Sequence, residues 1–131
     1  RAWQVPQPLN VEAMAAAARA LVGRHDFSSF RAAECQADSP VKTLDHLDVR
    51  RGDDLVEIEA AARSFLHHQV RNIVGTLVLV GKGAWAVRDV GVALEAKRRS
   101  AAGPTAPAAG LYLTRVDYGL TPPSPDAAPA C

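Results

Sequence analysis

Arg71, in the middle of an apolar helical stretch, has the most evident capacity for chemistry in this sequence. Within "HHQVRNIVGTLVLVG" it is flanked by Val70 and by Asn72-Ile73-Val74. A guanidinium stays charged and carries five donors, so even partial burial obliges it to find an acceptor. A carboxylate or a phosphate suits its planar fork, and open solvent is the plain alternative. Gly75, one turn on, would let another backbone or a ligand come close.

Other candidates are weaker. "GRHDFSSFR" sets His25 beside Asp26. A nucleophilic triad would also need a supported Ser or Cys, and Ser28 and Ser29 stand in no nucleophile-elbow context. Asp26 is therefore expected to cap a short helical turn, accepting from the amide of Ser28 or Ser29, with His25 beside it in a turn between two helices. Phe27 and Phe30, three apart, would share one face of that turn and pin it to the core. His67 and His68 are adjacent, so on a helix they point about 100° apart and cannot easily clasp one metal. No HExxH pattern or cysteine pair supports them, and no metal site is expected there. "GPTAPAAGLYL" joins a loop of small residues and prolines to an apolar strand. It could wall a cleft at Gly110-Leu111, although composition alone favours a simple connection.

These residues need a scaffold, and 131 residues make one domain. With 48% hydrophobic residues but only 5% aromatic, the core is expected to be largely aliphatic. No apolar run is long and uncharged enough to span a membrane. The opening "RAWQVPQPLN" lacks the order of a signal peptide, and position 1 is not Met, so the chain is expected to be part of something longer. Cys35 and Cys131 are expected to be free thiols, which suits a reducing cytoplasm. The net charge of +1 conceals an asymmetry: residues 60–115 carry eight bases against two acids, which leaves −5 for the remainder. Such a basic block fits a polyanion partner, though a solvated charged face would look the same.

Local patterns supply the elements. "LNVEAMAAAARALVG" (9–23) predicts a helix capped by Asn10, with Gly23 at the left-handed position after its end. The polar stretch ending at Pro40 predicts a loop. "VKTLDHLDVRR" and "DLVEIEA" alternate around a turn at 51–54 and predict a β-hairpin. "AARSFLHHQVRNIVGTLVLVG" (61–81) predicts a long helix, with Leu66, Val70, Ile73, Leu77 and Val80 on one face and Ser64, His68, Arg71 and Gly75 on the other. "AVRDVGVALEAKRRS" (86–100) predicts a second helix whose basic end complements the helix dipole. "LYLTRVDY" predicts a last strand, and the proline-rich 119–131 a disordered tail. The outcome is an α+β two-layer sandwich over 1–118, a mainly antiparallel sheet with helices packed on one face.

Three of these pieces, in order, match a family. "LVGRHDFSSFR", "SFLHHQVRNIVGTLVLVG" and "GPTAPAAGLYLTRVDY" together resemble the C-terminal half of TruA-type tRNA pseudouridine synthases. The chain departs from the usual pattern at Arg98-Arg99, where an Asp-Arg pair is common, and at Gln69, where Met is frequent. The resemblance implies isomerisation of uridine to pseudouridine in the anticodon stem-loop of tRNA, without metal or cofactor. It implies a homodimer, and a flipped-out uridine in a cleft between two halves. It makes Arg71 the partner that holds the nucleophilic aspartate ionised and aimed. It places Leu111, with Gly110, beside the target base. Basic surfaces, here Arg98 and Arg99, would grip the RNA backbone.

The nucleophile itself belongs to a Gly-Arg-Thr-Asp-Ala-Gly motif of the amino-terminal half, and this chain contains none. Gly23-Arg24-His25-Asp26 looks like it, but Phe-Ser-Ser-Phe-Arg follows. The expected partners are therefore that other half and tRNA. The alternative is a non-catalytic RNA-binding or dimerisation module.

Overall fold

The computed structural model describes residues 8–32, 39–52, 55–63, 65–66 and 68–107. The last strand, the tail, Cys35, Cys131, Ser64, His67, Gly110 and Leu111 lie outside these residues.

Among the described residues, three strands form one antiparallel sheet in the order β1-β2-β3, and helices cover one face of it. β1 is Gly23–Asp26, β2 is Val41–Arg51 and β3 is Val56–Ala62. The helices are α1 (Val11–Ala18), α2 (Gln69–Gly81) and α3 (Val87–Ala96). This is the α+β arrangement expected from the sequence.

α1 begins as anticipated: the Ala13 amide donates to the Asn10 side chain at 3.0 Å. It ends earlier, passing through a 3-10 turn at Arg19–Leu21. Gly23 does take positive φ, at 106°. It opens β1 instead of closing the helix, because residues 23–26 pair with 41–44. The expected turn between two helices is thus a strand.

β2 breaks the expected alternation at one point. Leu44 pairs with Ala62 but His46 pairs with Ala61, so Asp45 is an extra residue in the ladder. This β-bulge switches the parity of the strand. Leu44 and Leu47, three apart, both face the core, while His46, Asp48 and Arg50 are exposed. On β3, Val56, Ile58, Ala60 and Ala62 pack toward the core, and Glu57 and Glu59 are exposed.

The long helix expected over 61–81 is shorter. Ala60–Ala62 complete β3, held by the ladder to β2, and α2 starts at Gln69. His68 takes the left-handed conformation (φ 64°), which turns the chain into the helix. Leu66 is buried as expected, but from the segment before α2. Ile73, Leu77 and Val80 form the buried stripe, while Val70 is half-buried. α3 also stops short, at Ala96. Lys97 is left-handed and Arg99–Ala101 form a 3-10 turn.

Phe27 and Phe30 are fully buried, their ring centroids 6.4 Å apart. Each contributes about 2–3 kcal/mol by burial. The core they share with Met14, Leu21, Leu44, Ile73, Leu77 and Val90 joins all three helices to the sheet.

Candidate functional site

Arg71 lies in the first turn of α2, half-buried. The turn before it is fixed by Gln69: the Leu66 amide donates to Gln69 Oε1 (2.8 Å), and the Gln69 amide donates to the Leu66 carbonyl (3.0 Å). Gln69 is 1% exposed, and among the described residues its Nε2 has no acceptor. Arg71 Nε donates to the Ala106 carbonyl at 2.8 Å. The Ala106 amide donates back to the Arg71 carbonyl at 2.9 Å. This reciprocal pair fixes the base of the guanidinium against the 103–107 loop. Among the described residues the two Nη groups have no acceptor. Held by Nε and open at its far end, the fork can present donors to an incoming carboxylate or phosphate.

Gly75 makes this contact possible. A Cβ there would stand 1.7 Å from the Pro104 carbonyl oxygen, so only a bare backbone lets the loop lie on α2. Thr76 fastens the next point: its hydroxyl donates to the Asn72 carbonyl (2.8 Å) and accepts from the Gly103 amide (2.9 Å). Asn72 is buried and joins three elements. Its Nδ2 donates to the Phe30 carbonyl (2.7 Å), and its Oδ1 accepts from Arg99 Nη2 (3.1 Å) and from the Thr105 hydroxyl (2.5 Å). Arg99 Nη2 also donates to Thr105 Oγ1 at 3.1 Å. Burial pushes the Arg99 guanidinium below its ordinary value, although an arginine remains charged at neutral pH.

The two expected RNA contacts therefore differ. Arg99 is half-buried and turned onto Asn72 and Thr105, while Arg98 is exposed. The Arg98 amide is nevertheless tied, donating to the Ser29 hydroxyl at 3.0 Å. That hydroxyl donates in turn to the Ala93 carbonyl at 2.6 Å.

The 23–31 stretch holds no dyad. His25 Nε2 donates to the Val22 carbonyl at 2.9 Å, and its ring stands edge-on to Phe27. Asp26 Oδ1 accepts from both the amide (2.9 Å) and the hydroxyl (2.6 Å) of Ser28. Burial pushes the Asp26 carboxyl up. The Ser28 hydrogen bonds, with Lys97 and Arg31 nearby, outweigh this and hold it below its ordinary value. Asp26 thus accepts from the Ser28 amide as its position implied, but the N-cap of the turn Ser28–Phe30 is Phe27, so Asp26 anchors the turn from one residue before the cap.

Elsewhere, His46, Asp48 and Glu59 bring ligand atoms within 4.8 Å of one another on the exposed sheet face. Arg50 Nη1 is 3.5 Å from the same Glu59 oxygen, so that carboxylate already has a cation beside it. Gly110 and Leu111 come after Ala108 and Ala109 in the sequence and lie outside the described residues. Sequence reasoning missed Asn72, Thr76 and Thr105. The available signal was two amide- or hydroxyl-bearing residues four apart on an apolar helix, flanking Gly75.

Comparison with known proteins decides the family. Residues 17–119 match the family model described as tRNA pseudouridine synthase. The chain belongs to the tRNA pseudouridine synthase family. It is 64% identical over 121 residues to the tRNA pseudouridine synthase A of Paramagnetospirillum magneticum, covering 92% of this chain and 47% of that protein. It is 62% identical over 120 residues to the one of Acidiphilium cryptum, again 92% and 47%. For Rhodospirillum rubrum the figures are 61% over 130 residues, 99% and 45%. The chain thus spans about half the length of the curated relatives it matches. The family match includes Arg71, Gly75 and the whole 103–107 loop. No helix among the described residues is long and apolar enough to cross a membrane.

Proposed function

We propose that this chain is the C-terminal portion of an enzyme that isomerises uridine to pseudouridine in the anticodon stem-loop of tRNA. The observation that carries this reading is high identity to enzymes of that name, over less than half of their length. The product differs from uridine only in which ring atom bonds the sugar: the N1–C1′ bond breaks, the base turns, C5 bonds to C1′ and gives up its hydrogen as a proton, and N1 takes up a proton, so the atom count is unchanged. An aspartate supplied by the other half of the protein is the nucleophile. Arg71 pairs with it through its two Nη groups, which have no acceptor among the described residues, and keeps the carboxylate ionised and oriented. The Nε bond to Ala106 supports this role, because it removes the side chain's freedom before the aspartate arrives. Gly110 and Leu111, just beyond the anchored loop, pack beside the target base. Arg98 grips the RNA backbone, and Arg99 joins it only with what its contacts to Asn72 and Thr105 leave free. The working form is a cytoplasmic homodimer without a cofactor.

The test is tritium release from tRNA carrying 5-tritiated uridine, using the protein encoded by the complete reading frame. Release that depends on Arg71 and on an aspartate in a Gly-Arg-x-Asp motif upstream supports the reading. An upstream sequence without such a motif, or turnover by the 131-residue chain alone, would overturn it.

A further inference from the structure

The exposed face of the sheet carries charge in two different states. At the hairpin end the charges are paired. Arg50 lies 3.6 Å from Glu57 and 3.5 Å from Glu59, and His46 contacts Asp48 and Glu59. At the other end lies an open groove of about 380 Å³, lined by Arg24, Ser39, Val41, Lys42, Thr43, Asp45 and Arg63. Arg24 on β1 is directly paired with Thr43 on β2, and Arg63 follows the last residue of β3. All three are exposed. Among the described residues neither Arg24 nor Arg63 forms an ion pair, even though Asp45 shares the groove.

We infer that this groove is a binding site for the phosphodiester backbone of RNA. Strands lie about 4.8 Å apart, so a row crossing three of them sets its donors at intervals along a line. The row runs cation, hydroxyl, cation, which are the side-chain types that contact phosphate oxygens. Two arginines with no carboxylate partner among the described residues can meet a polyanion, and each phosphate they neutralise releases condensed counterions. The bulge at Asp45 separates the two ends: it re-aims the strand between the open groove and the paired cluster. The inference deepens the tRNA reading above and rests on it for the identity of the RNA, while the groove stands on its own charges.

The test is tRNA binding by the full-length protein across a salt titration. Arg24→Ala with Arg63→Ala should weaken affinity on the order of tenfold and reduce the log–log salt slope by roughly 1.4 to 1.8. Arg50→Ala at the paired end should leave the slope unchanged. The doubly lysine-substituted protein, R24K with R63K, should keep most of the slope, which separates lost charge from lost fold. At saturating tRNA, tritium release by the double alanine variant should match wild type, with only KM raised. An unchanged slope in the double alanine variant, or an equal loss from Arg50→Ala, overturns the groove. If wild type turns over tRNA but the slope does not change, the groove alone fails. If wild type shows no turnover yet the slope falls, the enzyme reading fails and the groove stands.

Discussion

Among the described residues the Asp26 carboxylate accepts its hydrogen bonds from Ser28, two residues along the chain. The Arg71 guanidinium reaches 35 residues, to the Ala106 carbonyl, and leaves its two Nη groups without acceptors among the described residues. Both are charged groups set partly into the fold, and from sequence the first looks more like catalysis. Asp26 sits beside a histidine in a near-copy of the family's nucleophile motif. Arg71 sits among valines and isoleucines. Geometry reverses the ranking: Asp26 anchors its own turn, while among the described residues Arg71 keeps donors to spare. A polar group whose partners are all its chain neighbours shapes the backbone. One fixed at a single atom, with donors to spare, is suited to receive a partner.

The strongest way to break this comparison is Arg71→Ala in the full-length enzyme. Turnover should fall about 100-fold or more, with tRNA affinity changed little, because the lost interaction aims a reacting group. Single-turnover tritium release beside filter binding measures both. Unchanged turnover with weaker binding would make Arg71 a phosphate contact. A smaller effect is expected at Gly75→Ala. Alanine favours a helix by about 1 kcal/mol over glycine, but here its methyl group would meet the Pro104 carbonyl, and displacement of packed groups costs about 1–3 kcal/mol. A net loss of about 1–2 kcal/mol in urea unfolding is expected, with slower turnover as the loop shifts away from Arg71. A gain in stability would show that the loop yields.

Asp26→Ala should cost about 1 kcal/mol, the size of a typical cap loss, and leave turnover per folded molecule unchanged. Its pH dependence sharpens the contrast. The folded Asp26 carboxyl lies below its ordinary 3.8, so its contribution is fully present above that value and is lost as pH falls through the folded pKa. Urea midpoints of wild type and variant should therefore differ by a constant amount near neutrality and converge in acid. Parallel curves down to the lowest pH would remove the carboxylate from the account.

Much of this was legible in the residues. Asn10, the two phenylalanines and the apolar stripe Ile73-Leu77-Val80 obey local rules, and they landed where those rules put them. The bond from the Ser28 amide to Asp26 and the close approach at Gly75 were likewise legible, although the cap itself is Phe27. β1 was hidden because four residues that include Gly, His and Asp have little strand preference of their own, and only their pairing with β2 makes them a strand. The start of α2 was hidden because three alanines suit a helix, while the ladder to Leu44–Leu47 claims them for β3. The inward turn of Arg99 was illegible for a similar reason: its partners Asn72 and Thr105 lie 27 and six residues away. Charge counting registers a base but not the direction it faces.

The extra residue at Asp45 has one more consequence. It acts on β2 as a frameshift acts on a message, because every position after it is read on the opposite side of the sheet. Were the bulge straightened with all eleven residues kept, strict alternation from Leu44 would bring Leu47 and Val49 to water and point His46, Asp48 and Arg50 at the helices. The composition of the strand would not change, but its inside and outside would trade places from the bulge to the hairpin.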